Sequence, residues 1–165
     1  MIKHPVANTK DGTQVYVDLI KSPASTTISQ QPHVVTLVRE VLSTISPQGK
    51  KSTIEFDFGH TIGNSDIVGT TEKDHIMYAK PQGRDIFFRF VRRRQPEQTN
   101  FVTIVLLLDD DGDYELRDVW MGRDMPAMPG TSHESADSKE YWETHARVIE
   151  GYPLQNRTLT LTRPY

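Results

Sequence analysis

The order of apolar and polar residues predicts a chain built mostly from β-strands. Residues 13–19 alternate with period two, and residues 52–58 alternate again with Ile54, Phe56 and Phe58 on one side. Successive side chains of a strand point to opposite faces, so this alternation indicates strands with one face toward a core. Five further strands are predicted, at 75–80, 85–93, 100–108, 114–121 and 158–162.

Two segments carry the signals of helices. Apolar residues recur at helical spacing on one face of residues 34–45, at Val34, Leu37, Val38, Val41 and Ile45. Pro32 suits the first turn of this helix, and residues 46–49 end it. Residues 137–140 have capping-box spacing and open a second helix that runs to about Ile149. Residues 21–32 predict a loop, whereas residues 59–74 are too irregular to assign.

The connections between the central strands are short and contain turn-forming residues. Pro81 and Gly83 follow the first of these strands, Pro96 follows the second and Gly112 the third. Such short connections favour antiparallel neighbours. We therefore predict an α+β fold, with an antiparallel β-meander sheet of five to seven strands and one helix before and one after it packed on one face. A length of 165 residues predicts a single domain, residues 1–165.

The composition excludes several classes of protein. The chain has no cysteine, which excludes a disulfide framework, a thiolate nucleophile and a thiolate-bound metal. Its six histidines are scattered, and no phosphate-binding or dinucleotide-binding glycine motif occurs, so we expect neither a metal nor a cofactor. The first residues form no apolar signal core, and no apolar run is long enough to span a membrane. We expect a cytoplasmic protein without membrane contact, and the sequence leaves secretion without a signal peptide open.

An arginine-rich segment interrupts an otherwise acidic chain. The chain has 19 Lys and Arg against 22 Asp and Glu, yet five arginines fall within eleven residues, at Arg84, Arg89, Arg92, Arg93 and Arg94. Guanidinium groups bind phosphates bidentately, so this segment indicates an anionic partner. Phe88 and Phe90 are predicted to face the core, which leaves Arg89 on the open face. The alternative is a solvated strand paired with the acidic residues 109–113 of a neighbouring strand.

Two histidines are candidates for proton transfer. His60 lies between Gly59 and Gly63 at the end of a predicted strand, where glycines allow close approach of a ligand. His145 lies on the predicted C-terminal helix, where it shares a face with Tyr141 four residues earlier. Trp142 lies on the adjoining face of the same helix. This helix can close over a base or another ring. The alternatives are a surface histidine at position 60 and an ordinary buried helix face around position 145.

Several stretches resemble the barnase–EndoU–colicin–RelE group of metal-independent bacterial ribonucleases and toxins. The likeness rests on residues 75–80, 89–91 and 102–105, and it spans roughly residues 34–121. The chain departs from the group in being acidic, and the glutamate base of barnase-like members has no clear counterpart. The resemblance implies a small bacterial protein that cleaves RNA by attack of the 2′-hydroxyl on the adjacent phosphate.

The resemblance also implies a role for each candidate residue. His60 and His145 would be catalytic as proton-transfer groups, since this step needs a group that titrates near neutral pH. Arg89, helped by Arg84 and Arg92, would hold the phosphate, and Thr103 on the neighbouring strand would donate a hydrogen bond to it. The aromatic residues Tyr141 and Trp142 would stack on an exposed base.

Two other classes of function fit the same residues. One is a non-catalytic binding domain that uses the arginine-rich strand to dock nucleic acid or an acidic protein of the immunity or antitoxin type. The other is an enzyme that uses His60 on a small organic substrate. The sequence gives no oligomeric state.

Overall fold

The computed structural model describes residues 1–81, 88–126, 136–148 and 159–161. These residues form helices α1 (Pro23–Gln30), α2 (His33–Thr44) and α3 (Ala136–Thr144). The strands are β1 (Lys3–Asn8), β2 (Gln14–Asp18), β3 (Lys51–Asp57), β4 (Gly63–Ser65), β5 (Ile67–Gly69), β6 (His75–Pro81), β7 (Phe88–Arg92), β8 (Glu97–Thr99), β9 (Phe101–Leu108), β10 (Tyr114–Met121), β11 (His145–Val148) and β12 (Leu159–Leu161).

The chain divides into two compact units. The first contains residues 1–62 and 99–124, and the second contains residues 63–98 and 125–165. A compact unit is defined by its internal contacts, whereas a domain is defined by its own core and its ability to fold alone. The single-domain expectation therefore stays a prediction.

The first unit is a five-stranded sheet with α1 and α2. The strand order is β1-β2-β10-β9-β3, and every neighbouring pair is antiparallel except β2 and β10, which are parallel. The core joins the apolar stripe of α2 to the inner residues of the strands. Val34, Val38 and Val41 are fully buried, as the helical spacing predicts. Helix α2 thus confirms the first predicted helix.

The second unit contains another five-stranded sheet and a small strand pair. The order is β12-β6-β7-β11-β5, with β7 and β11 parallel and the other pairs antiparallel. Its core cluster contains Val68, Val91, Ala146 and Val148, with Ile76 packed against it. Strands β4 and β8 form a two-stranded sheet. Helix α3 leads directly into β11.

The α+β class is confirmed, but the prediction of one antiparallel meander is wrong. The hairpins β6–β7 and β9–β10 form as expected, yet they belong to different sheets. The free edge of β7 is taken by β11, and the free edge of β9 is taken by β3. Because of these long-range pairings, β7 and β9, which were predicted to be neighbours, are not paired with each other. Short connections show local hairpins and give no information on such distant partners.

Two helix assignments from the sequence need correction. Residues 23–30, predicted as loop, form α1, which begins at Pro23 and buries Ala24. Proline at the first position of a helix needs no hydrogen-bond donor there, so the proline-containing stretch is compatible with a helix start. The C-terminal helix ends at Thr144, and His145 is the first residue of β11. Pairing of β11 with both β5 and β7 satisfies its backbone as a strand, which overrides the weak local preference for helix.

Three predicted strands are confirmed outside the central hairpins, as β2, β3 and β12. The unassigned stretch 59–74 contains the short strands β4 and β5. Across the described parts of the chain, no helix combines the length and the apolar character that crossing a membrane requires.

Candidate nucleic-acid interface

The predicted site residues are divided between the two units. His60 and Thr103 belong to the first unit. The second unit contains a larger group, namely Arg89, Arg92, Tyr141, Trp142 and His145. Arg84 lies outside the described residues.

The Thr103 side chain is buried in the sheet of the first unit and is hydrogen-bonded there. It lies on β9 between β3 and β10, where its side chain is fully buried. Its hydroxyl donates a hydrogen bond of 2.9 Å to the carbonyl of Gly122. The expectation that Thr103 neighbours the arginine-rich strand is therefore wrong, because the partners of β9 are β3 and β10. A hydroxyl that is buried and already donating is poorly placed to hold a phosphate.

His60 is exposed just beyond β3. Gly59 precedes it with a φ of 76°, a left-handed conformation that glycine adopts without strain. The Gly59 amide donates to Asp57 at 2.8 Å, which fixes the turn. The imidazole contacts the Phe58 ring edge-on, with centroids 6.4 Å apart. Glycine thus shapes the backbone here, as the sequence indicates, and leaves His60 exposed to solvent.

Arg89 lies on the core-bearing face of its strand, contrary to the prediction of an open face. Val91, two residues further along β7, is fully buried in the core cluster of the second unit. Phe90 is 1% exposed, so both faces of β7 are covered at its centre. β7 also lies inside a five-stranded sheet, between β6 and β11, so both of its edges are paired.

The Arg89 guanidinium binds the end of α3 and the start of β11. Its Nη1 donates to the carbonyl of Trp142 at 3.0 Å and to the carbonyl of His145 at 3.4 Å. A cation at a helix C-terminus is favourable because the last carbonyls carry partial negative charge and lack partners inside the helix. Arg89 therefore brings three predicted site residues together, although its contacts are to backbone atoms.

His145 is stacked on Tyr141 and held through one ring nitrogen. The ring centroids are 3.9 Å apart and the planes differ by 3°. Nδ1 lies 2.9 Å from the carbonyl of Tyr141, which can only accept a hydrogen bond. The Thr144 hydroxyl also donates to that carbonyl at 3.1 Å, so its oxygen faces Nδ1 as an acceptor at 3.0 Å. These contacts place the proton on Nδ1 and leave Nε2 as the nitrogen that can exchange a proton.

Trp142 is a core residue. It is 4% exposed, and its indole nitrogen donates to the carbonyl of Pro126 at 3.2 Å. The prediction that its ring stacks on a base does not fit this burial. Tyr141 is half-buried beside it, with ring centroids 5.0 Å apart in an edge-on arrangement. Of the two aromatic candidates, Tyr141 is the one with part of its surface outside the core.

The end of the β6–β7 hairpin carries two exposed arginines. Arg92 is the cross-strand partner of His75, and both are exposed. Arg93 follows with a φ of 55°, the one positive value at a non-glycine residue in the described ranges. Residues 92 and 93 are referred to below as the cationic end. Alternation places Arg92 on the face opposite Arg89, so the two side chains do not act together.

Arg94 differs from its neighbours because it is neutralised. Its Nη1 donates to both carboxylate oxygens of Asp74, at 3.2 Å and 3.1 Å, and its Nη2 donates to Glu97 at 3.1 Å. The Thr71 amide donates to the same Asp74 carboxylate at 2.7 Å. This backbone bond and the arginine together outweigh partial burial and lower the pKa of Asp74. Arg94 therefore uses two nearby carboxylates that could otherwise offset the cationic end.

The acidic run at 109–113 is a hairpin turn of the first unit, as the short connection containing Gly112 predicts. Asp109 accepts the amides of Asp111 and Asp113 at 2.9 Å and 3.0 Å, which closes the turn between β9 and β10. The Tyr16 hydroxyl donates to the same carboxylate at 3.0 Å. The expectation that this run belongs to a strand paired with the arginine-rich strand is wrong, since β7 and β9 belong to different sheets.

Sequence reasoning missed that His75 is the cross-strand neighbour of the cationic end. The signal was present: strands at 75–80 and 85–93 joined by a turn near Pro81 form a hairpin, and counting back from the turn pairs His75 with Arg92. In the parts of the chain that are described, no three His, Asp or Glu side chains gather into a group able to hold a metal.

Comparison with known proteins gives no match: no protein-family model, no curated protein and no solved structure is significantly similar to this chain.

Proposed function

We propose that the protein binds a nucleic acid strand and that the cationic end contacts its phosphates. The observation that carries the proposal is the contrast between consecutive arginines. Arg92 and Arg93 are exposed and form no ion pair with any described carboxylate, whereas Arg94 is saturated by Asp74 and Glu97. Two uncompensated guanidinium groups on an acidic protein form a local site for phosphate.

The backbone geometry adds to this contrast. Arg93 adopts a left-handed conformation, which is uncommon for a residue with a side chain. Such conformations concentrate at functional sites, where their cost is offset by the surrounding structure. A nucleic acid backbone has a phosphate at each nucleotide, so successive nucleotides can supply a phosphate to each of the two arginines.

The stacked pair Tyr141–His145 supports a nucleic acid rather than an acidic protein. Both rings are half-buried, and β11 carries His145 on the same sheet face as Arg92, since Arg147 is the partner of Phe90. In this register His145 lies four residues along the sheet from Arg92, roughly 13 Å, with buried Phe90 between them. Partly exposed flat rings at that distance from the arginines suit single strands, whose bases stack on aromatic side chains.

The proposal is tested by fluorescence anisotropy with labelled single-stranded RNA of mixed sequence. The variant Arg92→Gln with Arg93→Asn should bind at least about ten-fold more weakly, and the slope of log K against log salt should fall by about 1.4, the value for two lost phosphate contacts. The control is Lys10→Gln with Lys21→Gln, which removes two exposed positive charges from the first unit.

Equal affinity of both variants for RNA would contradict the proposal. If polyglutamate binds through Arg92 and Arg93 and RNA does not, the partner is an acidic protein instead. Glu72 is an exposed carboxylate in the turn before His75, so Glu72→Gln should strengthen RNA binding.

A metal-independent ribonuclease is the second candidate, and the held imidazole of His145 is what favours it. With Nδ1 bound to the carbonyl of Tyr141, Nε2 can accept the proton of an attacking 2′-hydroxyl. Mixed RNA incubated with a chelator should then be cleaved, and His145→Ala should abolish cleavage while RNA binding persists. His60→Ala tests the other histidine in the same assay. Absence of cleavage by the native chain leaves the binding proposal as it stands.

A further inference from the structure

We infer that the outer edge of β3 pairs with β3 of a second copy of this chain. β3 ends the sheet of the first unit, and its one partner among the described strands is β9. It is seven residues long, the length of a full strand in globular proteins. Residues 51, 53, 55 and 57 are all exposed.

The register of β3 leaves a complete set of backbone groups on its outer edge. Leu108 donates its amide to the carbonyl of Lys50, and Phe58 donates its amide to the carbonyl of Asn100. Backbone groups alternate in direction along an antiparallel pair, so even-numbered residues face β9 and odd-numbered residues face outward. No hydrogen bond among the described residues uses the amides and carbonyls of Lys51, Thr53, Glu55 and Asp57, so these groups can pair with another strand.

The opposite edge of the same sheet, at β1, is protected against pairing with another strand. An added strand would therefore pair at β3. β1 contains Pro5, which has no amide to donate, and its register shifts between Pro5 and Ala7. Arg39 of α2 also donates to the outward carbonyl of Val6 at 2.9 Å. Proline, a bulge and a covering side chain are the devices that block pairing at an edge. β3 contains neither a proline nor a register shift.

The inner face of β3 offers apolar surface to an added strand. Ile54, Phe56 and Phe58 pack against the core of the first unit but remain half-exposed. Phe56 and Phe58 are in edge-on contact, with ring centroids 4.8 Å apart. A further strand at this edge would cover these side chains and continue the core.

The charges of β3 select a second copy as the partner. In an antiparallel β3–β3 pair centred on Ile54, Lys51 of each copy lies opposite Asp57 of the other, and Thr53 lies opposite Glu55. Residues 51 and 57 both point outward, so they meet as hydrogen-bonded pairs on one face. The two-fold symmetry gives two such Lys–Asp pairs, and it is the symmetry that closes a dimer. Glu55 stays bound to Arg123 at 3.0 Å, which limits repulsion at the centre.

The first test is the mass in solution. Light scattering and sedimentation equilibrium should show a concentration-dependent dimer, and Thr53→Pro should give the monomer. Proline removes an outward amide at position 53 and no bond to β9, so the fold is kept. The matched control is Asp57→Asn with Lys51→Gln, which keeps every backbone group and should weaken the dimer without abolishing it.

The second test does not depend on proline being tolerated. Lys51→Asp should abolish the dimer by placing like charges opposite each other, and adding Asp57→Lys should restore it. A native chain that stays monomeric up to about 1 mM would overturn the inference. Persistence of the dimer in both Thr53→Pro and Lys51→Asp would overturn it too, by assigning association to another surface. RNA binding is measured separately, because the cationic end belongs to the other unit.

Discussion

His145 lies flat against Tyr141, with ring centroids 3.9 Å apart, and the carbonyl of Tyr141 holds its Nδ1 at 2.9 Å. One residue thus supplies both the ring that His145 stacks on and the acceptor that fixes its proton. Arg89 bonds to the carbonyl of His145 from a different strand. Contacts of both side-chain and backbone atoms therefore hold the junction between α3 and β11.

The tautomer of His145 follows from these contacts. Under alkaline conditions, where the imidazole is neutral, we expect the proton on Nδ1 because its partner is a carbonyl. Long-range ¹H–¹⁵N spectra of the histidine side chains report this directly. A proton on Nε2 would contradict the arrangement. Exposed His60, whose imidazole has no described hydrogen-bond partner, is the internal reference.

Arg89 should act on stability more than on ligand binding. Arg89→Met keeps the apolar stem but removes the donor to the carbonyls of Trp142 and His145, which should lower the free energy of unfolding by about 2 kcal/mol. Arg92→Met removes an exposed guanidinium and should change that free energy by less than about 0.5 kcal/mol. Urea unfolding measures both. Arg92→Met should weaken RNA binding more than Arg89→Met does. If Arg89→Met had the larger effect on both stability and RNA affinity, the assignment of Arg89 to the fold and Arg92 to the ligand would be refuted.

Thr103 should likewise be a structural residue. Thr103→Val preserves the shape but leaves the carbonyl of Gly122 without its donor in a fully buried position. The expected loss is about 1–3 kcal/mol of unfolding free energy, since an unpaired buried acceptor bears its full desolvation cost. RNA affinity should be unchanged. A Thr103→Val variant as stable as the native chain, but impaired in RNA binding, would return this residue to the site.

The pKa of Asp74 should depend on Arg94. The Thr71 amide and Arg94 hold the pKa of Asp74 below its ordinary value of 3.8, and Arg94→Ala should raise it toward that value. A lowered pKa in the folded state stabilises the fold above the unfolded pKa, and this contribution is lost as pH falls through the folded value. Stability should therefore decline on acidification below about pH 4, less steeply in Arg94→Ala. Titration of the Asp74 carboxyl carbon by NMR, in the native chain and in Arg94→Ala, checks the pKa.

The left-handed backbone of Arg93 predicts an unusual order of substitutions. Arg93→Asn and Arg93→Gly should preserve or raise stability, because both residues adopt a φ near 55° readily. Arg93→Val should lower the free energy of unfolding by about 1–2 kcal/mol, since a β-branched residue is strained there. Thermal unfolding of the three variants gives the order. Equal stability of Arg93→Val and Arg93→Gly would show that the turn relaxes.

Local patterns in the sequence were sufficient for elements whose partners are close along the chain. The apolar stripe of α2 predicted its buried face, and the short turns predicted the hairpins β6–β7 and β9–β10. The short connection that contains Gly112 correctly indicated a hairpin turn at residues 109–113. In each case the interaction lies within one helix or one hairpin, where residue order fixes geometry.

Pairings between distant segments were decided by the tertiary structure alone. His145 is in a strand because β11 pairs with both β5 and β7. Arg89 faces the end of α3 because β11 lies beside β7. Thr103 is buried because β3 and β10 flank it. The amino-acid order thus determined which residues could be cationic, aromatic or apolar neighbours locally. Which arginine is buried, neutralised or exposed depended on strands far away in the chain, whose pairing is chosen by the packing of the whole sheet.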